Sequence, residues 1–238
     1  DPWGDLPYYA DFYRTPYDHG ATGDGTTDDT AAVQAAYDWL ANQGGGALAV
    51  TKGIFNIPGG LRMSSPNVSV RGLGGVLFGG GLVVGTDADV SSGNAWARTY
   101  IDGITIDGDD PYGTLKGISL KNCRGLSITN CTIDNVGKCI SSEYADGATA
   151  FHSVTMITVD NIRARAHKYF IFIDTSDVTA FSQWQVCGDW IITRCNSNYA
   201  TETNIWMSGI DGVNIGMGNV LCMLNYGSTT LSDTKAHN

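Results

Sequence analysis

Apolar residues recur at helical spacing in one part of the chain, before residue 46. Four of them lie three or four residues apart, as on one face of an α-helix: Val33, Ala36, Tyr37 and Leu40. Asp28, Asp29 and Thr30 precede them and are residue types that favour a helix N-terminus. The glycines at 44–46 favour its end. The pattern therefore predicts one amphipathic helix over residues 30–43.

From residue 47 onward the pattern changes to short runs of β-branched and alternating apolar residues, interrupted by Gly, Asn and Asp. Such runs are typical of short strands. They lie at 47–50, 68–70, 81–84, 101–106, 117–120, 126–133, 154–159, 170–173, 190–193 and 213–215. An antiparallel sandwich would show the same runs, so they indicate an all-β region without deciding its architecture.

Internal repetition favours a solenoid. Three segments share an apolar strand, a small polar corner and a resumed strand, and their corners lie about 20 to 40 residues apart, as in solenoid repeats. They are GLSITNCTIDN (125–135), VTMITVDNIRA (154–164) and DWIITRCNSNY (189–199). We expect Asn130 to stabilise one of these corners, although Asn-Cys-Thr also matches a glycosylation sequence.

The cysteines add a finer spacing. Cys123, Cys131 and Cys139 are eight residues apart, as are Cys187 and Cys195. Three such steps give a coil of about 24 residues, and an even step keeps each thiol on the same side of the pleat. We therefore expect these cysteines to face the core as small apolar side chains, rather than to form disulfides or to bind metal.

Composition and charge exclude several classes of protein. The 238 residues include 24 Asp and Glu against 14 Lys and Arg, a formal charge of −10, whereas nucleic acids require a basic surface. No window holds the roughly 18 consecutive apolar residues of a membrane helix. We therefore expect no nucleic-acid partner, no membrane insertion, and neither a metal nor another cofactor.

The segment DHGATGDGTTDDTAAVQAA at 18–36 carries the most specific motif of the chain. It resembles the signature that opens the pectate-lyase-like superfamily of right-handed parallel β-helices. GGGALAVTKGIFNI at 44–57 is similar to the strand pair that follows there, with Lys52-Gly53 in place of the more common Pro-x-Gly. The resemblance implies an all-β fold, a single-stranded right-handed parallel β-helix with one N-terminal α-helix capping its open end.

We expect one structural domain, in which residues 1–46 form an aromatic lead-in and the capping helix, and residues 47–238 form the β-helix coils. The motif carboxylates Asp24, Asp28 and Asp29 suit turn and helix-cap roles. We favour those roles over a calcium or catalytic cluster.

Within this superfamily the chain most resembles bacteriophage tailspikes and capsule depolymerases, which begin with such a motif after a short aromatic lead-in. The resemblance implies a depolymerase that cleaves glycosidic bonds of a bacterial surface polysaccharide, either capsule or O-antigen. It also implies a parallel homotrimer in the extracellular tail spike of a virion, with a secreted bacterial enzyme as the alternative. The polar segment 229–238 is as expected for an excised portion, or for a short member of that group.

Hydrolysis of a glycosidic bond needs two carboxyl groups, one of them acting as general acid. Asp174 and Asp177 closely follow the apolar run 170–173, and Glu143 and Asp146 lie roughly one coil earlier. Positions between a strand and a loop are where rigid scaffolds present functional side chains. We therefore predict that these four residues are catalytic; the alternative is that they are solvated turn residues.

The one basic concentration is RARAHKY at 163–169. Strand alternation would place Arg163, Arg165 and His167 on one face as substrate-binding residues. With Lys168 and Tyr169 they would suit a polysaccharide lyase, which neutralises a uronate and abstracts its proton. The alternative is a solvated or trimer-facing patch. Because the chain is strongly acidic, a neutral or weakly charged glycan is the better substrate unless this stretch lies in the groove.

Aromatic side chains near these charged candidates can stack on sugars. We predict substrate-binding roles for four of them: Tyr144, Tyr169, Trp184 and Trp190. Aromatic rings fill cores and subunit interfaces equally well. A non-catalytic β-helix, serving in glycan binding or as a structural spike module, is therefore the alternative to an enzyme.

Overall fold

The computed structural model describes residues 13–85, 99–121, 123–143, 153–174, 186–208 and 211–223. Most of these residues lie in short strands, and the strands pair in parallel with strands of neighbouring coils. Connections between parallel strands are almost always right-handed because strands twist to the right. The chain is a right-handed parallel β-helix with one α-helix in its described part, which confirms the predicted fold class.

The α-helix, α1, spans Thr30–Asn42, and a 3-10 helix spans Pro16–His19. The strands up to residue 107 are β1 (Tyr13–Arg14), β2 (Asp24–Asp28), β3 (Gly46–Asn56), β4 (Leu61–Met63), β5 (Val68–Phe78), β6 (Leu82–Val84), β7 (Tyr100–Asp102) and β8 (Thr105–Asp107). The later strands are β9 (Lys116–Leu120), β10 (Cys123–Arg124), β11 (Ser127–Thr129), β12 (Thr132–Glu143), β13 (Ser153–Thr155), β14 (Thr158–Asp160), β15 (Arg163–Asp174), β16 (Val186–Thr193), β17 (Asn196–Ser208), β18 (Asp211–Ile215) and β19 (Val220–Met223).

Three parallel sheets run along the β-helix, and each contributes a ladder of inward-facing side chains. The ladder of the first sheet is Leu48, Val70, Ile101, Ile128, Val159, Ile192 and Ile215. That of the second sheet is Phe55, Leu77, Ile106, Ile133, Ala164, Ser197 and Leu221. That of the third sheet is Leu61, Leu82, Ile118, Ile140, Ile171 and Ile205. Most of these side chains are fully buried, and their burial stabilises the stack at about 25 cal/mol per Å² of apolar surface.

The coils differ in length because the connections between the sheets differ in length. Leu48 and Val70 are 22 residues apart in sequence, whereas Val70 and its next partner, Ile101, are 31 apart. Val159 and Ile192 are 33 apart. The expectation of a uniform coil of about 24 residues is therefore wrong.

Asparagines occupy the corner between the first and second sheets. Asn130 and Asn161 have φ angles of 55° and 53°, in the left-handed region that asparagine tolerates better than most residues. The side-chain amide of Asn161 donates to Asn130 Oδ1 at 2.8 Å, and that of Asn130 donates to Asp102 Oδ1 at 2.7 Å. The predicted corner role of Asn130 is confirmed.

Helix α1 packs on the first coils at the N-terminal end of the β-helix. Its buried face is the predicted one, Val33, Ala36, Tyr37 and Leu40. The Tyr37 hydroxyl donates to Ser65 O at 3.0 Å, which ties the helix to the chain between β4 and β5. Among the described residues, no helix has the length and apolar character needed to cross a membrane.

The carboxylates of the segment that precedes α1 bond backbone amides, as expected for turn residues. Asp29 accepts from Thr22 N at 2.6 Å and Gly23 N at 3.0 Å. Asp24 accepts from the amides of Thr26 and Thr27, and these bonds hold the pKa of Asp24 well below its usual range. Asp28 bonds the amide of Thr30, the first residue of α1. The turn role of these carboxylates is confirmed, whereas Asp29, the N-cap residue of α1, bonds the preceding turn and not the helix.

Four of the cysteines have buried side chains in the core: Cys123, Cys131, Cys139 and Cys195. Burial raises the pKa of Cys131 to about 12. The inward placement predicted from the eight-residue step is therefore confirmed for these four. The side chain of Cys187 lies outside the described residues.

Candidate active site on the third sheet

The outer face of the third sheet carries polar and aromatic side chains in rows that cross the strands. One row is Lys116, Lys138, Tyr169 and Thr203. The next is Val83, Ser119, Ser141, Phe172 and Trp206. A third row contains Glu143 and Asp174. Because parallel strands lie about 4.8 Å apart, each row places side chains from distant parts of the sequence side by side.

Glu143 and Asp174 form a carboxylate pair at the ends of β12 and β15. They are direct register partners, and both side chains are half-buried. Lys138 Nζ lies 2.8 Å from Glu143 Oε1, and Lys116 Nζ lies 3.1 Å from Glu143 Oε2. One ammonium group from its own strand, Lys138, and one from the preceding coil, Lys116, therefore fix the position of the Glu143 carboxylate.

Aromatic rings continue the surface next to this pair. The Phe172 and Trp206 rings are stacked, with centroids 6.4 Å apart and an interplanar angle of 13°. The Tyr169 ring packs against Phe172 with centroids 4.7 Å apart, and Lys138 Nζ lies 3.7 Å from the centre of the Phe172 ring. Trp206 is 36% exposed, and an exposed aromatic ring can stack on the C–H face of a sugar.

Tyr169 also makes a polar contact on this surface. Its hydroxyl donates to Glu202 Oε2. Burial, followed by the hydrogen bond to Glu202, raises the pKa of Tyr169 to about 12. The phenol therefore keeps its proton at neutral pH and acts as a donor.

A groove of about 1190 Å³ opens between α1 and the third sheet. Gln34 and Asp38 line it on the helix side, and Lys116, Ser119 and Lys121 line it on the side of β9. Lys116 belongs both to the groove and to the ion pair with Glu143. Lys116 therefore links the wall of the groove to the Glu143 carboxylate.

The basic stretch 163–169 does not share one face, so that expectation is wrong. Arg163 and Arg165 are exposed on the second sheet, and Arg165 Nη2 lies 2.6 Å from Asp134 Oδ2. Ala166 then adopts a φ of 54°, which turns the chain and ends the alternation. His167 points into the β-helix, where its Nε2 lies 2.9 Å from Ser197 Oγ. The lyase hypothesis that required these side chains together loses its geometric basis.

Trp190 is a core residue, which corrects its predicted contact with substrate. Its side chain is fully buried, and its Nε1 donates to Val154 O at 3.4 Å. A ring inside the coil cannot stack on a polysaccharide. The remaining predicted site residues lie outside the described residues and stay predictions: Asp146, Asp177, Tyr144 and Trp184. Across the described ranges, no group of three His, Cys, Asp or Glu side chains is arranged to hold a metal ion.

No protein-family model matches the chain. Among curated proteins it is similar to the mannuronan C5-epimerase AlgE5 of Azotobacter vinelandii, with 32% identity over 116 residues. The aligned region covers 42% of this chain and 11% of the epimerase. The chain thus spans about a tenth of the length of that relative.

Solved structures resemble the chain at low sequence identity. A Parabacteroides merdae protein, provisionally described as a glycosyl hydrolase, has a TM-score of 0.54 and 19% identity, with 88% of this chain and 95% of that chain covered. A mutant tailspike protein of E. coli bacteriophage HK620, in complex with a pentasaccharide, has a TM-score of 0.50 and 14% identity, with 90% and 47% covered. The chain has a tailspike-like fold.

The sequence predictions did not include three side chains that the third sheet brings to the carboxylate pair: Lys116, Lys138 and Phe172. A signal for them exists in the sequence. Lys-Gly-Ile-Ser at 116–119 and Lys-Cys-Ile-Ser at 138–141 are repeats that align in register. Tyr-Phe-Ile-Phe at 169–172 occupies the same positions one coil later. Aligning strands on this pattern would have found the rows.

Proposed function

We propose that the chain hydrolyses glycosidic bonds of a polysaccharide on the outer face of the third sheet, with Glu143 and Asp174 as the catalytic carboxyl groups. The observation that carries this proposal is their register pairing at the ends of neighbouring strands. Strands about 4.8 Å apart suit the separation of about 5 to 5.5 Å between the carboxyl groups of retaining glycosidases.

In such a reaction one carboxyl group protonates the glycosidic oxygen, and the other attacks the anomeric carbon as the leaving sugar departs. Water then hydrolyses the glycosyl-enzyme bond, and the first carboxyl group takes the proton from that water. Glu143 is the better candidate for the nucleophile, because Lys116 and Lys138 hold its carboxylate in place. Asp174 would then serve as acid and base, and Phe172 and Trp206 would stack on the bound sugars.

The biological setting we propose is that of a phage tailspike-like depolymerase, an extracellular homotrimer whose substrate is a bacterial capsule or O-antigen. The fold shared with the HK620 tailspike, which was solved in complex with a pentasaccharide, supports this setting. So does the fold shared with the Parabacteroides merdae protein described as a glycosyl hydrolase. We propose that the segments that follow β12 and β15 contribute four further residues to this site: Asp146, Asp177, Tyr144 and Trp184.

A second candidate is proton abstraction from a uronate residue, as in an epimerase or a lyase. The identity of 32% with a mannuronan C5-epimerase over 116 residues favours it. On this reading Lys116 and Lys138 neutralise the uronate, and the Asp174 carboxylate takes the proton from C5. Tyr169, which keeps its proton, then gives it to the opposite face of C5 in an epimerase or to the leaving oxygen in a lyase. The basic residues of the third sheet would thus replace the stretch 163–169.

The experiment is incubation of the protein with a panel of capsular and O-antigen polysaccharides, followed by mass spectrometry of the products. Hydrolysis adds water to each cleaved bond and gives saturated oligosaccharides, whereas a lyase gives an unsaturated end and an epimerase leaves chain length unchanged. Saturated fragments support the proposed hydrolase. Binding of a glycan without any change in it would instead support a non-catalytic spike module.

A further inference from the structure

The row that crosses the middle of the third sheet has small residues between large ones. Ser119 and Ser141 lie in register between Val83 on one side and Phe172 on the other. Ser119 lines the groove beside α1. Ser141 is fully buried, and its hydroxyl has no hydrogen-bond partner among the described residues. Beside Ser119 the groove thus forms a depression whose floor carries this hydroxyl, whereas the hydroxyl of Ser141 is covered by its neighbours.

Basic side chains lie around this depression, and the carboxylates of Asp28 and Asp38 also line the groove. Lys116 and Lys138 occupy the neighbouring row, and Lys121 lines the groove two residues beyond Ser119. Arg62 lines the same groove closer to α1. In a chain with a formal charge of −10, such a local concentration of cations attracts anions that the rest of the surface repels.

Lys116 is available to a ligand despite its contact with Glu143. Its side chain is 38% exposed, and ion pairs at such positions contribute little because water screens them. A carboxylate that enters the groove can therefore accept hydrogen bonds from Lys116 without a large loss of protein stability. The hydroxyl of Ser119 offers a further donor at the floor.

We propose that this depression is a subsite for the carboxylate of an acidic sugar residue, bound by Lys116 and Lys121 with Ser119 at the floor. The inference rests on the proposed function, because it assigns the substrate class of the same face. It replaces the expectation of a neutral or weakly charged glycan, which allowed an acidic one only if the stretch 163–169 lay in the groove. The groove has its own lysines, although the stretch 163–169 lies elsewhere.

The test is equilibrium binding at low ionic strength, where charge contacts are least screened. The probes are oligosaccharides of alginate, pectate and hyaluronan, each compared with its carboxyl-reduced neutral form of equal length. The protein is the full chain carrying Asp174→Asn, so that turnover does not consume the probe. Lys116→Gln and Lys121→Gln are the test variants, and Lys52→Gln is the control, since it removes the same charge from an exposed site outside the groove.

We expect at least one acidic oligosaccharide to bind, its reduced form to bind about tenfold more weakly or worse, and each test variant to lose a similar factor. Lys52→Gln should bind as its parent does. Equal binding of acidic and reduced forms, or binding of none of the acidic probes, would overturn the subsite. So would equal losses in the control and test variants.

The outcome is separable from that of the proposed hydrolysis. Cleavage of a neutral polysaccharide that is unaffected by Lys121→Gln would contradict the subsite and leave the hydrolase standing. Suppose instead that an acidic glycan binds in a lysine-dependent way but is never cleaved by the wild-type protein. That result would support the subsite and contradict the hydrolase.

Discussion

Glu143 and Asp174 are direct register partners at the ends of β12 and β15, although 31 residues separate them in sequence. The separation equals one coil at this point of the β-helix. Lys116 reaches the same position from the coil before, and Trp206 lies one coil beyond Phe172. The candidate site therefore forms because successive coils stack with these residues in register, and substitutions of its residues test it.

Glu143→Gln and Asp174→Asn should each reduce polysaccharide cleavage by about 100-fold or more, because general acid–base groups contribute factors of that size. Both variants keep the shape of the residue they replace, and melting temperatures should show that they fold. Asp109→Asn is the matched control, since Asp109 is an exposed carboxylate away from the third sheet. Full activity in either site variant would remove that residue from the proposed mechanism.

Trp206→Ala should weaken glycan binding by about two- to tenfold, because a stacked ring contributes about 0.5–1.5 kcal/mol beyond its buried area. The ring is 36% exposed and lies parallel to that of Phe172. Tyr199→Asn is the comparison, since Tyr199 is exposed at a corner with a φ of 64°. Isothermal titration calorimetry with an oligosaccharide that the wild-type protein binds measures the affinity of both variants. Equal losses of affinity in the two variants would exclude a specific role for Trp206.

Asn161→Ala should lower the free energy of unfolding by about 1–2 kcal/mol. Alanine tolerates the φ of 53° poorly, and the hydrogen bond to Asn130 is lost. Asn161→Gly loses the same hydrogen bond but accepts the backbone conformation, so it should cost less. Urea denaturation of the three proteins separates the two contributions. An alanine variant as stable as wild type would contradict the corner role.

His167 should make stability depend on pH. Burial lowers its pKa to about 4 from 6.5. The unfolded chain therefore takes up a proton below about pH 6.5 that the folded chain does not accept until about pH 4. The free energy of unfolding should fall as pH falls through this window, by up to about 3 kcal/mol, and this contribution levels off below it.

Urea midpoints at about pH 7 and about pH 4.5 measure this effect. His167→Leu removes the titrating group at similar volume and should show a smaller fall between the two values than wild type does. The carboxylates contribute equally to the pH dependence of stability in wild type and variant. The difference between the two proteins therefore gives the contribution of His167. An equal fall of the urea midpoint in wild type and variant would contradict the predicted role of His167.

Sequence patterns that extend over only a few residues were sufficient to predict the helix and strands of the fold. The spacing of Val33, Ala36, Tyr37 and Leu40 predicted the face that α1 buries. The β-type runs predicted strands where the structure has them, and the eight-residue step predicted the inward direction of Cys131 and its neighbours. The motif at 18–36 predicted a parallel β-helix. All of these signals lie within one element or one corner.

The alternation of inward and outward side chains did not predict the burial of residues where the chain turns between sheets. Arg165 and His167 have the same parity, yet Ala166 between them adopts a left-handed conformation and sends their side chains to opposite sides of the wall. Trp190, whose sequence context resembles an exposed strand as much as a buried one, proved to be core. A single positive φ changes the face of every residue after it, and a count along the sequence does not register it.

Local sequence patterns therefore specify the architecture, the capping helix and the inward cysteines, because each depends on residues close together in the chain. Which residues share the third sheet's outer face follows from the stacking of the coils in three dimensions. Coils of unequal length make the partner of a residue depend on the lengths of the connections between sheets. Glu143 meets Asp174 and Lys116 meets Lys138 for this reason: parallel stacking joins positions 31 and 22 residues apart through the packing of the inner ladders.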